Sequence, residues 1–299
     1  MKILISGATG LVGTALHRLL SDQGHQVITL KRNDSGAPLT WQPDKGQIRL
    51  DPETALDGVI NLSGANIGEK RWSPARKALI LQSRLDSTRL LANTLISMAV
   101  KPKFFLSASA IGYYGDAPGT VATESSGPGS GFLADIAKAW EQAAQPAIDA
   151  GVRTVLMRTG VVLSPRGGAL QQMLPAFRLG LGGPIGNGGQ ILSWVSLHEL
   201  VNMIRFLIDR DDIGGPVNLV APGAVTSREF AAVLGRVLKR PAFLPLPAFM
   251  VKLLFGEMGQ TLLLSGIRVE PARLQQAGYT FLDADLAGAL KVELTSDAG

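Results

Sequence analysis

Apolar and polar positions alternate along the first half of the chain in blocks that predict strands and helices in turn. Short apolar runs, of the length of buried strands, lie near residues 3–6, 27–30, 58–62, 103–110 and 153–163. Apolar residues at helical spacing fill the intervals near residues 11–20, 73–99 and 132–150. Ser73 and Pro74 begin the second of these helices as N-cap and first helical residue. This alternation predicts the α/β class with a doubly wound parallel sheet.

The pattern changes after residue 163. Residues 180–189 are so rich in glycine that we expect no regular structure there. They form either a flexible substrate loop or a set of tight backbone approaches. The elements expected in this part are a strand near 191–195, helices near 197–209 and 227–238, a strand near 217–220 and a mostly helical tail over 245–295, broken by Pro271.

These patterns predict two domains. We expect a Rossmann-type dinucleotide-binding domain over residues 1–163, with residues 191–220 rejoining its sheet. Residues 164–299 should form a smaller, mostly helical lobe that closes a substrate cleft, and its last part, residues 245–295, is a segment of its own.

Composition excludes several classes of protein. The 299 residues are 46% hydrophobic and 18% charged, which allows a sizeable core. The chain has no cysteine, so disulfides, thiolate metal sites and cysteine nucleophiles are excluded. Its three histidines, His17, His25 and His198, are too few and too scattered for an all-histidine metal site. We therefore expect no metal.

Charge and hydropathy narrow the expected partners. The net charge of +5 comes without a lysine or arginine run, which favours a phosphorylated small molecule over a nucleic acid. No stretch reaches the ~18 apolar residues of a membrane span, and the apolar start is too short for a signal peptide. We expect a cytoplasmic protein without membrane contact.

The strongest motif is the glycine turn Gly7-x-x-Gly10-x-x-Gly13, which follows the first strand and begins the first helix. Backbone N–H groups at such a helix N-terminus, with no Cβ in the way, suit a pyrophosphate. The motif predicts a dinucleotide cofactor rather than an ordinary tight turn. The predicted cofactor site also includes three of the four residues between the glycines: Thr9, Leu11 and Val12.

The end of the second strand predicts which dinucleotide binds. In this kind of unit it meets the adenosine ribose, where an Asp or Glu favours NAD. Lys31 and Arg32 stand there instead, and two cations suit a 2′-phosphate, which arginine can bind bidentately. The sequence therefore predicts NADP(H). The alternatives are two solvated charges, or an acid supplied by Asp34 if the strand ends later.

With the glycine turn, the strand that ends at Ser109 and the strand at Arg158-Thr159-Gly160 in place, the chain resembles the extended short-chain dehydrogenases/reductases. It is most similar to their epimerase-like subgroup of NADP-dependent oxidoreductases, which has its own C-terminal segment. The matching stretches span essentially the whole chain and lie at residues 7–13, 59–64, 70–72, 83–84, 112–115, 158–163, 173–186, 268–271 and 277–279.

This resemblance implies that the glycine turn binds NADPH, with Lys31 and Arg32 at the ribose phosphate. It implies further cofactor contacts from Leu62, Ser63, Gly64, Arg84, Ser107 and Arg158. For the two arginines, Arg84 and Arg158, the alternative is a role in structural ion pairs.

The catalytic residues of the larger family are only partly present. Its reductases use a Ser or Thr with a Tyr and a Lys four residues apart, which share one face of a helix. Here that helix offers Leu133 and Ala137 in one register, or Ala134 and Lys138 in the next. Neither register contains a tyrosine, so the Tyr-x-x-x-Lys pair is absent.

Three residues remain as catalytic candidates. Ser109 stands at the strand end where the family has its serine, and Tyr113 or Tyr114, in the loop that follows, could donate the proton. We therefore hypothesise an NADP(H)-dependent oxidoreductase acting on a small carbonyl or sugar-like substrate. The alternatives are a nucleotide-sugar epimerase or dehydratase, and a non-catalytic NADPH-binding sensor or regulator. The two long helices near 73–99 and 132–150 are candidates for a homodimer interface.

Overall fold

The computed structural model describes residues 1–32, 40–50 and 54–295. The side chains of Lys31 and Arg32 lie outside the described part, and so does Asp34. The 2′-phosphate site predicted from these residues therefore stays a prediction.

The described chain contains strands and helices in the alternating order predicted for its first half. The strands are β1 (Lys2–Ser6), β2 (Gln26–Thr29), β3 (Lys31–Arg32), β4 (Thr40–Gln42), β5 (Gln47–Arg49), β6 (Gly58–Asn61), β7 (Phe104–Ala110), β8 (Val121–Ala122), β9 (Arg153–Thr159), β10 (Val161–Leu163), β11 (Ile191–Leu192), β12 (Trp194–Ser196), β13 (Gly215–Leu219), β14 (Val225–Thr226) and β15 (Arg268–Val269). The helices are α1 (Leu11–Asp22), α2 (Pro74–Ser97), α3 (Phe132–Gln142), α4 (Gln145–Asp149), α5 (Gly168–Arg178), α6 (Leu197–Ile208), α7 (Ser227–Leu238), α8 (Ala248–Leu263), α9 (Ala272–Gln276) and α10 (Leu286–Thr295). Two short 3₁₀ helices lie at Pro43–Lys45 and Ile111–Tyr114.

Six parallel strands form the central sheet, in the order β13-β9-β7-β6-β1-β2. From β1 the chain passes to β2 on one side and later returns to β6 on the other, so the strand order reverses between β1 and β6. In open α/β sheets, ligands bind in the crevice at the carboxyl ends of the strands at such a switch point. The sheet confirms the predicted α/β class and its Rossmann-type winding.

Helices cover both faces of this sheet. Ile3 and Ile5 of β1 join the apolar core under α1 and α6, whereas Leu4 joins the core under α2 and α4. The division follows from the strand itself, because successive side chains point to opposite faces. A third apolar core, around Phe177 and Trp194, is formed by side chains of α5, α7 and α10.

Two elements differ from the sequence predictions. The single strand expected near 191–195 is two strands in different small sheets, since β11 pairs antiparallel with β14 and β12 pairs parallel with β10. From this region only β13 joins the central sheet. The single helix expected over 132–150 is divided into α3 and α4, with Pro146 in the first turn of α4, where a missing N–H costs no helical hydrogen bond.

The glycine-rich stretch 180–189 has no helix or extended strand, as expected. Two of its glycines are required by close packing. A Cβ on Gly182 would lie 2.5 Å from the Phe177 ring, and one on Gly183 would lie 2.1 Å from the Leu244 carbonyl oxygen. Of the two interpretations left open by the sequence, tight backbone approach therefore holds for this pair.

The C-terminal segment is mostly helical, as predicted, and α9 begins directly after Pro271. None of the helices in the described ranges combines the length and the apolar character needed to cross a bilayer.

Candidate functional site

A cleft of about 770 Å³ lies at the carboxyl ends of β1 and β6, at the switch point of the sheet. Its lining comes from the glycine turn, α1, the end of β2, β4 and the segment after β6. The lining residues are Gly7, Ala8, Thr9, Gly10, Thr14, His17, Thr29, Leu30, Trp41, Leu62, Ser63 and Gly64.

Glycine is required at the three positions of the turn for different structural reasons. Gly7 has φ +75°, and a Cβ there would lie 2.8 Å from the Leu62 carbonyl group. A Cβ on Gly13 would lie 2.2 Å from the Gly7 carbonyl oxygen, so only glycine lets α1 pack on the turn. At Gly10 the nearest atom is 3.4 Å from the Cβ position. Gly7 and Gly13 therefore serve the fold, whereas Gly10 keeps space open at the N-terminus of α1, which is where a pyrophosphate would fit.

The structure brings six of the predicted cofactor residues to the cleft, namely Gly7, Thr9, Gly10, Leu62, Ser63 and Gly64. The side chains of Leu11 and Val12 pack against the core instead, and Gly13 is buried. Ser107 is buried too, and its Oγ has no hydrogen-bond partner within the described ranges.

Six lining residues were missed by the sequence analysis: Ala8, Thr14, His17, Thr29, Leu30 and Trp41. Helical spacing could have found His17, since it follows Gly13 by one turn of α1. Nothing in the sequence around Trp41 indicates that its side chain lines the cleft. It reaches the cleft because β4 pairs with β3, which continues from β2.

Arg84, on α2, lies directly behind the cleft wall. Its Nη1 donates hydrogen bonds to the carbonyl oxygens of Ala65 (3.1 Å) and Ile80 (2.9 Å). Its guanidinium lies 4.8 Å from the centre of the Trp140 ring, and a Cβ on Gly64 would be 3.2 Å from its Cζ. Burial, together with the nearby charge of Arg76, lowers the pKa of Arg84 to about 10. Arg84 thus supports the segment after β6 from behind.

A second cluster is centred on a buried ion pair at the carboxyl end of β9. Arg158 is only 3% exposed, and its Nε and Nη2 each donate to a carboxylate oxygen of Glu141 on α3, both at 2.8 Å. Ser109, at the end of β7, donates from Oγ to the same carboxylate at 2.7 Å. Burial opposes the charge of Arg158, but its hydrogen bonds to Glu141 and Tyr114 outweigh this and raise its pKa. The predicted residues Ser109 and Arg158 therefore meet at Glu141, which the sequence analysis did not assign.

The two tyrosines after β7 have different environments. The Tyr114 hydroxyl is buried, receives a hydrogen bond from Arg158 Nη1 (3.0 Å) and donates one to Asn218 Oδ1 (2.7 Å). Burial raises the pKa of Tyr114, although the Arg158 hydrogen bond opposes the shift. Tyr113 is half-buried, and the Arg158 guanidinium lies 3.5 Å from its ring centre. Within the described ranges the Tyr113 hydroxyl makes no hydrogen bond, so its proton is uncommitted.

Helix α3 shows what replaces the missing Tyr-x-x-x-Lys pair. Leu133 packs against Gly112, Ala137 is buried, and Glu141 follows at the same four-residue spacing. Lys138 is exposed and pairs with Asp135 at 2.9 Å on the solvent side. The face of α3 that carries Leu133 therefore brings a carboxylate to Ser109 and Arg158.

A parallel sheet whose switch-point crevice carries a glycine turn is the arrangement of the Rossmann-type class of dinucleotide-binding proteins. A model of the NAD dependent epimerase/dehydratase family matches residues 3–220, and the chain belongs to this family. A second model, described only as a domain of unknown function (DUF1731), matches residues 246–292. The family predicted from the sequence motifs, with its own C-terminal segment, is confirmed.

Relatives cover the chain almost completely. Epimerase family protein Mb2239 of Mycobacterium bovis is 40% identical over 290 residues, which are 96% of each chain. The human epimerase family protein SDR39U1 is 35% identical over 295 residues, 97% of this chain and 99% of its own. The crystal structure of human SDR39U1 (isoform 2) with NADPH covers 99% of both chains with a TM-score of 0.91. A UDP-glucose 4-epimerase from Thermotoga maritima, with a TM-score of 0.76 at 16% identity, shares the fold alone.

Proposed function

We propose that the protein binds NADP(H) in the cleft at the glycine turn and acts as an oxidoreductase on a small carbonyl or sugar-like substrate. The observation that carries this proposal is the place of Gly10, which lines the cleft and is the N-cap of α1, and whose Cβ position has only the Gly7 carbonyl oxygen nearby, at 3.4 Å. Backbone N–H groups at a helix N-terminus attract a pyrophosphate there. The NADPH in the human SDR39U1 structure supports the choice of cofactor.

The preference for NADP(H) over NAD(H) rests on Lys31 and Arg32. β3 begins with these residues, directly after Leu30, which lines the cleft. Titration of the wild type and of Arg32→Ala with NADPH and NADH tests this. We expect tighter NADPH binding in the wild type and a preference reduced about tenfold or more in the variant, since charge-assisted hydrogen bonds are worth about 1.5–3 kcal/mol. Equal affinities of the wild type for the two cofactors would contradict the assignment.

Tyr113 is our candidate proton donor. Bound NADPH supplies a hydride, so the chain has to supply a proton to the substrate oxygen. The hydroxyl of Tyr113, which has no hydrogen-bond partner in the described ranges, suits this role, and the Arg158 guanidinium lies 3.5 Å from the centre of its ring. Ser109 is buried and donates its one hydroxyl proton to Glu141, so it supports that carboxylate against Arg158 rather than donating to the substrate oxygen. In this arrangement Arg158, fixed by its ion pair with Glu141, holds the ring of Tyr113 in position.

The two tyrosines form a matched pair for testing the mechanism. Turnover is followed as loss of NADPH absorbance in a screen of carbonyl substrates. Tyr113→Phe should lower kcat by about 10²–10⁴-fold and leave NADPH affinity and stability unchanged. Tyr114→Phe should instead lower the free energy of unfolding by about 1–3 kcal/mol, because Asn218 and Arg158 lose a buried partner. Full turnover by Tyr113→Phe would refute its role as proton donor.

A second candidate is an NADPH-binding regulator without turnover. It is favoured by α3, where Leu133 and Ala137 occupy the face on which a Tyr-x-x-x-Lys pair is expected. The same screen separates the two functions. Tight NADPH binding without turnover of any carbonyl substrate would favour the regulator, whereas turnover that depends on Tyr113 would exclude it.

A further inference from the structure

Exposed large apolar side chains are concentrated in the C-terminal lobe. Phe243 is 72% exposed and Leu253 is 71% exposed, although side chains of this size are usually buried. Eight such residues lie in two segments of the lobe: Leu179, Leu181, Phe243, Leu244, Phe249, Met250, Leu253 and Leu254. Clustered exposure of this kind marks an interaction site more often than scattered single residues do.

The first four of these residues lie on two chain segments that run side by side. The Leu244 N–H donates to the Gly182 carbonyl oxygen at 3.1 Å, and the Leu246 N–H donates to that of Pro184 at 2.9 Å. The segments approach closely because Gly183 has no Cβ at the Leu244 carbonyl. Backbone contacts therefore fix the apolar side chains outside the lobe's core.

The other four residues lie on the first two turns of α8. Phe249 and Leu253 are four residues apart and share one exposed face, whereas Val251 is fully buried on another. Beyond these turns α8 is kinked at Gly256, and Glu257, directly after the kink, forms an ion pair of 2.7 Å with Lys77 on α2. The exposed turns before the kink are therefore held through their inner face, where Val251 is buried.

The charges of these segments have one sign. The sequence contains no Asp or Glu between Asp149 and Glu199, or between Glu229 and Glu257. Five exposed cations lie in the same two stretches: Arg178, Arg236, Lys239, Arg240 and Lys252. Three of them line a groove of about 420 Å³ together with Phe243. We call this combination of eight apolar residues and five cations the apolar-basic surface.

We propose that the apolar-basic surface docks the protein on a lipid bilayer that contains anionic lipids. Apolar side chains that protrude beside lysine and arginine are typical of segments that lie in the membrane interface. The cations would bind lipid phosphates and carboxylates, and Phe243, Phe249 and Leu253 would enter the acyl region. Such peripheral contact needs no membrane-spanning helix, and it departs from the expectation of no membrane contact, which rested on the search for spanning segments alone.

Charge and shape favour a bilayer over the other partners. In a symmetric dimer through this surface, the five cations of one copy would face those of the other, which opposes association. A protein partner would need a fitted pocket for each protruding side chain, whereas hydrocarbon accepts any of them. The inference does not depend on the proposed NADP(H) function.

Vesicle sedimentation of the full chain tests the proposal. The probes are phosphatidylcholine vesicles with and without about one-third phosphatidylserine. We expect binding only to the anionic vesicles. Phe249→Ser with Leu253→Ser should weaken it about tenfold or more, since burying one such side chain is worth that factor. Arg236→Gln with Arg240→Gln should weaken it about fivefold for each charge removed.

Leu79→Ser with Val100→Ser is the matched control, because these side chains are exposed and apolar but lie elsewhere. The control should bind like the wild type, and urea unfolding verifies that every variant is folded. Absence of binding to anionic vesicles would overturn the proposal, as would equal binding to both vesicle types. Self-association that is lost in the Phe249 and Leu253 double variant would show that a second copy covers the surface. Release of the protein from vesicles by inorganic phosphate alone would also overturn the proposal, because it would show that the cations bind an anion and that the apolar side chains do not enter the bilayer.

Discussion

Removal of the Glu141 side chain should destabilise the protein more than removal of Glu141 and Arg158 together. In Glu141→Ala the Arg158 guanidinium loses two hydrogen bonds of 2.8 Å and its counter-ion, yet stays in a site where it is 3% exposed. Arginine does not lose its proton in proteins, so the buried charge cannot be relieved by neutralisation.

The size of the effect follows from this geometry. Loss of one partner of a buried ion pair costs about 3–5 kcal/mol. Ser109 also loses its acceptor, at 2.7 Å. Glu141→Gln keeps the shape and one acceptor oxygen, so we expect a smaller loss of about 1.5–3 kcal/mol. The double variant Glu141→Met with Arg158→Met removes both charges, and apolar replacement of a whole buried pair is often close to neutral.

Urea unfolding followed by tryptophan fluorescence measures these differences, and Trp140, beside Glu141 in α3, provides a local probe. We expect Glu141→Ala to be the least stable variant, with unchanged dependence of the free energy of unfolding on urea concentration. The reasoning is refuted if Glu141→Ala loses less than about 1 kcal/mol, or if the double variant is the less stable of the two.

Two further predictions concern the glycine turn and a surface histidine. Gly10→Ala should weaken NADPH binding about tenfold, a change of about 1.4 kcal/mol, and leave stability unchanged, because its Cβ would fill cleft space only. Gly13→Ala should instead cost about 1–3 kcal/mol of stability, because its Cβ would clash with the Gly7 carbonyl. Calorimetric titration measures the loss of NADPH affinity and urea unfolding measures the loss of stability. Equal destabilisation by the two variants would contradict the different roles assigned to Gly10 and Gly13. The hydrogen bond of His198 to Asp283 (3.1 Å) raises the imidazole pKa, although partial burial opposes this shift. The contribution of the charged imidazole to folding stability is therefore complete below about pH 6.5, the unfolded-state pKa, and is lost as pH rises through the folded-state pKa. His198→Gln should therefore lose more stability at acidic than at alkaline pH, by less than about 1 kcal/mol since the side chain is 46% exposed, and an equal loss at both would refute the linkage.

The sequence alone determined the local elements of this protein. The apolar run before Gly7, the glycine spacing and the apolar residues of α1 are contiguous, so strand, turn and helix follow from short-range patterns. Ser73 likewise predicted the start of α2, where its side chain accepts the Arg76 N–H. The alternation of strands and helices was sufficient to predict the α/β class, because neighbouring parallel strands have to be joined by a crossover connection, which is usually a helix.

The tertiary structure alone decided which side chains meet. Glu141 gave no sign in the sequence of its part in the site, because its partners Arg158 and Ser109 lie 17 and 32 residues away. Tyr113 and Tyr114 are adjacent and chemically identical in the sequence. They differ because Asn218, 104 residues later on β13, and Arg158 on β9 both hydrogen-bond the Tyr114 hydroxyl, whereas the Tyr113 hydroxyl has no such partner in the described ranges. Local periodicity encodes elements, whereas the partners of a buried polar group depend on how distant strands align in the sheet.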